Sequence, residues 1–171
     1  MGYTSSMLLT VFLAIVFCAA MALMLISCVA FIQDNKFFSS APKEARDVLI
    51  QREQELFYGA RAIGWTLFII SVLMILGAGV IAVWDGFRSG FTFWQFFWRF
   101  VLIFTIYKIC DMVLIDNFLL LKFHFFQHYY PEAAHVMEGR KYGFNIRSQL
   151  LKLFVIFPAV SALAAWICTR F

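Results

Sequence analysis

The sequence predicts an all-α integral membrane protein: a four-helix bundle with an amphipathic cytoplasmic helix between its first and second spans. Three observations support this fold class. Hydrophobic residues make up 63% of the 171 residues and charged residues only 14%, whereas about a quarter of a soluble domain is charged. Long uncharged runs recur along the chain, and its mean hydropathy is +0.83. Aromatic residues, mostly Phe, reach 19%. We expect one membrane domain over residues 1–171.

Four segments are long enough to be membrane spans, since a helix needs about 20 apolar residues to cross a bilayer. The first, Met7–Ile32, and the second, Ile63–Val83, contain no charge. The third, Phe93–Phe123, is interrupted by charged residues. It is also too long for one perpendicular crossing, so we expect it to tilt, to extend beyond the membrane, or to break after an interfacial piece at Phe91–Phe100. The fourth span is Leu150–Cys168.

The loop Gln33–Ala62 carries the pattern of an amphipathic helix. Pro42 fits the first turn of a helix. Residues that then repeat at helical spacing are Ala45, Val48, Leu49, Arg52 and Leu56. We expect this helix to lie on the inner membrane surface or to lead directly into the second span.

Small residues recur every four positions in three of the spans, which lets helices approach closely in lipid. They are Ala14, Cys18 and Ala22 in the first span, Ala78 and Ala82 in the second, and Ser161 and Ala165 in the fourth. The third span has Phe and Leu instead, so we expect its side chains to fill the gaps that the other three leave. Pro158 should kink the fourth span.

Basic residues are concentrated in two loops, which sets the orientation. The loop between spans one and two has Lys36, Lys43, Arg46, Arg52 and Arg61; the loop between spans three and four, with its flanks, has Lys122, Arg140, Lys141, Arg147 and Lys152. The opposite side has only Arg88 and Arg170, with Arg99 near that interface. The positive-inside rule therefore places both large loops in the cytoplasm and both termini outside.

Aromatic residues mark the short outer loop. They are Trp84, Phe87, Phe91, Phe93, Trp94, Phe97 and Trp98, as expected for the aromatic belt at a membrane interface. The net charge of +4 favours anionic lipid headgroups at the cytoplasmic face as partners. No nucleic-acid-binding motif is present, and we expect no nucleic-acid partner.

An intramembrane polar site is predicted on the third span. Lys108, Asp111 and Asp116, together with Lys122, fall within about 140° of one another on an α-helix. Ionisable residues at this depth face protein or water rather than lipid. In a structural interpretation Lys108 pairs with Asp111 one turn away. In a functional interpretation the carboxylates line a path for protons or cations, or bind the polar head of a substrate.

Two histidines follow the third span. His124 and His128 are four residues apart, a spacing found among metal ligands on a helix, and Glu132 or His135 would complete a zinc site. The alternative is that both histidines lie at the interface and contact headgroups or loop carbonyls. No HExxH motif supplies a general base, so a zinc hydrolase is not expected. We identify no catalytic residue, and apart from this zinc site we predict no cofactor.

The run KICDMVLIDNFLLLKFHFFQHYYPE, followed by YGFN and a last apolar helix, resembles small uncharacterised multi-span membrane proteins of Gram-positive bacteria. The resemblance covers mainly Lys108–Leu150. It implies a bacterial plasma membrane and brings no activity.

These features favour a non-enzymatic role, either as a transport or channel protein or as a subunit of a membrane complex. A homo-oligomer or a partner membrane subunit would supply the surface that the polar face of the third span meets. The alternative is a membrane-embedded enzyme that acts on a lipid or isoprenoid headgroup at the cytoplasmic interface. Such an enzyme would gather Asp116, His124 and His128 around a cavity.

Overall fold

The structure is a computed structural model that describes residues 3–38, 43–137 and 146–170, and within these ranges the chain is helical with no strand. The predictions that concern Pro42, Arg140 and Lys141 lie outside the described residues. The helices, in chain order, are α1 (Tyr3–Ile26), α2 (Lys43–Asp47), α3 (Ala60–Arg88), α4 (Phe93–Cys110), α5 (Phe125–Tyr129), α6 (Ala134–Met137), α7 (Ile146–Leu151) and α8 (Phe157–Cys168).

Three of the long helices continue with π-helical hydrogen bonding, in which each turn contains an extra residue. The π-helical segments are Ser27–Ile32 after α1, Asp111–Lys122 after α4, and Lys152–Ile156 between α7 and α8. The last of these ends two residues before Pro158. Because proline has no backbone N–H to donate, the helix is irregular at the place where the sequence predicts a kink.

Among the described residues, three helices are long and apolar enough to cross a membrane: Ser5–Ile32, Ala60–Arg88 and Ser148–Cys168. They correspond to the first, second and fourth predicted spans. The third predicted span is one continuous helix from Phe93 to Lys122. It does not break after Phe100, so of the three alternatives for this span the separate interfacial piece is not formed.

The predicted amphipathic helix between the first two spans is much shorter than expected. It ends at Asp47 as a five-residue helix, whereas the sequence pattern continues to Leu56. Other partners take the backbone groups that a longer helix would need. Ile50 donates its N–H to Glu132 Oε1 at 3.2 Å, and the carbonyl of Leu49 accepts from Asn35 Nδ2 at 3.2 Å.

The contacts divide the chain into two compact units. The first unit contains Met1–Ala20, Leu73–Cys110 and Arg147–Phe171, and the second contains Met21–Val72 and Asp111–Ile146.

The core of the first unit combines small residues with large aromatic ones. Its buried members are Leu13, Ala14, Ala78, Ala82, Phe96, Phe100, Ile103, Ala165 and Cys168. The small residues come from α1, α3 and α8, and the side chains of α4 fill the spaces between them. This packing confirms the prediction that the third span supplies bulky side chains to helices that approach closely.

The turn between α3 and α4 closes a helical hairpin. Gly90 has φ +64°, a left-handed conformation that glycine adopts without steric cost. Phe91 N donates to Gly86 O at 2.9 Å and Gly90 N to Phe87 O at 3.1 Å, the two bonds of a Schellman motif. Thr92 N then donates to Gln95 Oε1 at 2.8 Å, which is half of a capping box at the start of α4.

The second unit has a smaller core in which aromatic rings pack around a proline turn. Its buried residues are Val29, Phe38, Phe126, Tyr130 and Ala133. Pro131 ends α5 at Tyr129 and begins a short 3₁₀ turn, as the sequence predicts. The rings of Phe126 and Tyr130 stack with centroids 4.9 Å apart.

Candidate functional sites

A buried ion pair joins α3 and α4 within the first unit. Arg99 Nη2 lies 2.7 Å from Asp85 Oδ2, and the side chains are only 2% and 10% exposed. Arg99 Nη1 also donates to Ala82 O at 2.8 Å. Breaking a buried pair leaves an uncompensated charge, which costs far more than an exposed pair contributes. The interaction therefore fixes these two helices against each other.

The first turns of α1 and the hairpin turn complete the surroundings of this pair. Ser6 Oγ donates to Asp85 Oδ2 at 3.2 Å and accepts a short hydrogen bond from Arg99 Nη2. The Arg99 guanidinium lies 4.3 Å from the ring centroid of Phe91, within the range of a cation–π interaction. Among the described residues, Arg99 Nε finds no hydrogen-bond acceptor.

A pocket of about 550 Å³ lies beside Arg99, between the start of α1 and one face of α4. Its lining is Ser6, Met7, Thr10, Phe91, Trp94, Gln95, Trp98, Arg99, Val101, Leu102 and Thr105. The volume is in the range of small-molecule sites. The lining is mostly apolar; Gln95 and Arg99 are polar groups near the hairpin turn, and Thr105 lies farther along α4.

The two large loops meet at an ion pair in the second unit. Arg52 Nη2 lies 2.8 Å from Glu132 Oε2 and donates to Tyr129 O at 3.3 Å. Arg61 Nη2 donates to Arg52 O at 2.6 Å, so a second basic side chain holds the first loop in place. The loops preceding α3 and following α4 therefore form one structure.

Tyr130 lies beneath this junction and is fully buried. Its ring is 5.6 Å from the guanidinium of Arg52, and its hydroxyl has no hydrogen-bond partner among the described residues. Burial raises the pKa of Tyr130 well above its ordinary value; Glu132 raises it further, and Arg52 partly opposes the shift. The phenol is therefore held neutral.

The predicted intramembrane residues lie where the helix changes its hydrogen bonding. Lys108 is in the last turn of α4 in the first unit and is 3% exposed. Asp111 begins the following π-helical segment in the second unit, and Asp116, also in that segment, is 9% exposed. All three have interaction partners within the chain.

Both histidines are exposed, and only His128 lies in a helix. His124 has φ +51° and precedes α5, whereas His128 lies in it; His128 N donates to His124 O at 2.9 Å. Glu132, one of the expected zinc ligands, is engaged by Arg52. In the described ranges, no group of three His, Cys, Asp or Glu side chains converges to hold a metal ion. Zinc binding by His124 and His128 stays a prediction.

A second pocket of about 320 Å³ in the first unit is lined by apolar side chains of α3, α4 and α8 and by Phe17. Neither this pocket nor the one beside Arg99 is lined by Asp116, His124 or His128, the residues that the enzyme alternative would gather.

The Asp85–Arg99 pair is absent from the sites that the sequence predicts. The second span was expected to end at Val83, but α3 continues to Arg88 and so includes Asp85. A signal for the pair does exist, since Asp85 and Arg99 each lie seven residues from Thr92 (92 − 85 and 99 − 92). Equal spacing from the turn of a helical hairpin brings opposite charges to the same level.

Comparisons with known proteins give no relative from which a role could be inferred: no family model, no curated protein and no solved structure matches the chain.

Proposed function

We propose that the protein is a four-span integral membrane protein of the plasma membrane, with both termini outside, and that it works without enzymatic activity as a transport or channel protein. Its third span would carry Lys108, Asp111 and Asp116 as a polar site for protons or small cations. The observation that carries the proposal is the burial of Lys108 and Asp116, which are 3% and 9% exposed on the helix that we propose as the third span.

The contact between the two loops supports the return of the third span. Arg52 precedes α3 and Glu132 follows Lys122, yet their side chains lie 2.8 Å apart. The segment from Arg52 to Glu132 therefore begins and ends at the same position in the second unit. α3 has 29 residues, and the helix from Phe93 to Lys122 has 18 α-helical plus 12 π-helical residues, or 30. If α3 crosses the membrane, an arm of this length crosses it too.

The aromatic and basic residues support the orientation. Trp84, Trp94 and Trp98 are 59%, 63% and 62% exposed around the hairpin turn, as in an aromatic belt at the outer interface. The Arg52 and Arg61 side chains lie in the loop before α3, on the side that we assign to the cytoplasm, where basic residues would meet the anionic headgroups of the inner leaflet.

The π-helical geometry supports a functional role for the two carboxylates. In an α-helix, residues five apart differ by about 140° in direction. A π-helix, whose hydrogen bonds run from i to i+5, has more residues per turn and occurs frequently at functional sites. Asp111 and Asp116 therefore point in more similar directions on this segment than they would on an α-helix. Two carboxylates close in direction on one segment are suited to pass a proton or a cation between them.

Flux through vesicles reconstituted with the purified protein tests this function. We expect a proton or monovalent-cation current, measured with a pH-sensitive dye trapped inside under an imposed potential. Asp116→Asn and Asp111→Asn should abolish it, because a neutral amide neither exchanges protons nor attracts cations. Asp47→Asn, at the exposed last residue of α2, is the matched control and should conduct normally.

The oligomeric state of the same variants in detergent separates transport from assembly. If Asp111→Asn retains the oligomer of the parent protein and loses flux, the transport proposal is supported. If it loses the oligomer or a co-purifying membrane subunit, the carboxylate holds an assembly together. Absence of flux in the folded, reconstituted parent protein would overturn the proposal.

A further inference from the structure

The pocket beside Arg99 has a polar end that offers hydrogen-bond donors. Gln95 Oε1 already accepts from Thr92 N at 2.8 Å and from Thr92 Oγ1 at 3.1 Å. The amide nitrogen of Gln95 is left to donate. The neighbouring indoles of Trp94 and Trp98 also carry a donor and no acceptor. The donors of Gln95, Trp94 and Trp98 favour a ligand that brings acceptor oxygens.

Arg99 adds a buried donor to this set. It lies four residues after Gln95, one turn along the same face of α4, and lines the same pocket. Its residue is 4% exposed, and its Nε finds no acceptor in the described part of the chain. A buried donor without a partner costs free energy, and an acceptor that reaches Nε from the pocket would remove that cost.

Asp85 already balances the charge of Arg99, and this further limits the chemical class of ligand that the pocket can bind. Asp85 Oδ2 lies 2.7 Å from Arg99 Nη2, so the pair presents no net charge to the pocket. A full anion would be left without a counter-charge of its own. A neutral acceptor such as an ester carbonyl needs only the donors.

The rest of the pocket is apolar and follows the axis of α4. Val101 and Leu102 continue its lining away from the turn, and Met7 of α1 also lines the pocket. Trp residues at a membrane interface lie at the level of the headgroups. The donors are thus at the depth of the glycerol backbone, and the apolar part is at the depth of the acyl chains.

We propose that this pocket is a binding site for one glycerophospholipid of the leaflet that contains the hairpin turn. One acyl chain lies along Val101 and Leu102, and the ester carbonyl of that chain accepts hydrogen bonds from the donors at Gln95 and Arg99. The inference rests on the membrane placement proposed above and is independent of transport.

Quenching of tryptophan fluorescence by brominated lipids tests it. The protein carries Trp65→Phe, Trp84→Phe and Trp166→Phe, so that only Trp94 and Trp98 fluoresce. It is reconstituted in two mixtures of phosphatidylcholine: brominated diester with unbrominated diether lipid, and brominated diether with unbrominated diester lipid. We expect the diester lipid to be preferred about threefold to tenfold, the ratio that one or two net hydrogen bonds provide. Equal quenching by the two lipids would overturn the inference.

Variants at Gln95 test the donors without disturbing the ion pair. Gln95→Glu keeps the capping oxygen at this position and removes the amide donor, so the preference for the ester should fall towards unity. Gln54→Glu, an exposed substitution of the same charge, should retain it. A full preference in folded Gln95→Glu contradicts the assigned donors.

Headgroup competition supplies an independent readout. Phosphatidylglycerol and phosphatidylcholine should compete about equally, because Asp85 balances Arg99. A strong preference for the anionic lipid contradicts the neutral-acceptor site. A chain that does not insert would show quenching by neither lipid, and that result would overturn the membrane placement together with the lipid site.

Discussion

Arg99 makes contacts of four different kinds within the first unit. Its guanidinium is bound by a carboxylate, a backbone carbonyl, a hydroxyl and an aromatic ring, and it is 4% exposed. Each partner comes from an element adjoining the hairpin turn or from the start of α1. The residue thus joins three parts of the first unit that are distant in sequence.

Asp85→Asn tests how much this ion pair contributes to the stability of the protein. We expect it to lower the free energy of unfolding by about 3–5 kcal/mol, because Arg99 would be buried without a counter-charge. Thermal unfolding in detergent, followed by circular dichroism, measures the change. Asp85→Leu combined with Arg99→Leu should recover much of the loss, since it removes both charges. An Asp85→Asn protein as stable as its parent would show that the pair is dispensable.

Tyr130 makes the loop junction sensitive to alkaline pH. The unfolded chain loses the phenolic proton near pH 10, the ordinary pKa of about 10, whereas burial raises the pKa of Tyr130 in the folded state. The stability that depends on the neutral phenol is therefore fully present below about pH 10 and is lost as the pH rises above it.

Tyr130→Phe should remove one tyrosine ionisation that occurs above the ordinary pKa of the phenol. Tyrosinate absorbance during a titration of the detergent-solubilised protein measures this. Phenylalanine also removes a buried hydroxyl without a described partner, so stability at neutral pH should be unchanged or higher. Tyr58→Phe, which alters a fully exposed ring, should leave this high-pH ionisation in place. Persistence of that ionisation in Tyr130→Phe would contradict the burial.

At the scale of elements, the sequence predicts helices and their packing better than their irregularities. The four-residue spacing of Ala78 and Ala82 indicates a close-packing face, and both are buried in the core with Phe96 and Phe100. The π-helical segments are unpredicted, because an apolar run has no feature that distinguishes a π turn from an α turn. The angle predicted between Asp111 and Asp116 around the helix axis assumed α-helical spacing, and the π-helical hydrogen bonding changes that angle.

The loop between α1 and α3 shows why local pattern fails outside the apolar runs. The spacing from Ala45 to Leu56 is helical, yet the helix ends at Asp47. Contacts 80 residues away in sequence decide the outcome, since Arg52 binds Glu132. Such tertiary contacts outweigh a helix propensity of a few tenths of a kcal/mol per residue, roughly.

The glycines of α3 provide a matched test of helix packing. A Cβ on Gly64 would lie 2.8 Å from Ile32 Cγ1 and 3.1 Å from Ile32 N, whereas a Cβ on Gly77 meets nothing within 4 Å. We expect Gly64→Ala to destabilise the protein by about 1–3 kcal/mol through overpacking. Gly77→Ala should stabilise it by up to about 1 kcal/mol. Thermal unfolding of both variants measures this; equal effects would contradict the close approach at Gly64.

At the scale of the whole molecule, each of the two compact units contains an ion pair of its own. The first unit surrounds a buried ion pair beside exposed tryptophans, and the second joins two basic loops by Arg52 and Glu132. The count of basic residues predicts that both loops lie on one side, and the ion pair between them supports it. The proposed site at Lys108, Asp111 and Asp116 depends on this topology, because only a returning third span buries it in the membrane.

Labelling of single cysteines in intact cells tests the topology most directly. In a background without the four native cysteines, the exposed positions Gln54, Ser89 and Ala134 are changed to Cys one at a time and treated with a membrane-impermeant maleimide. We predict labelling of Ser89→Cys in intact cells, and labelling of Gln54→Cys and Ala134→Cys only after the membrane is permeabilised. Labelling of Gln54→Cys and Ala134→Cys from opposite sides would contradict the returning third span and the account built on it.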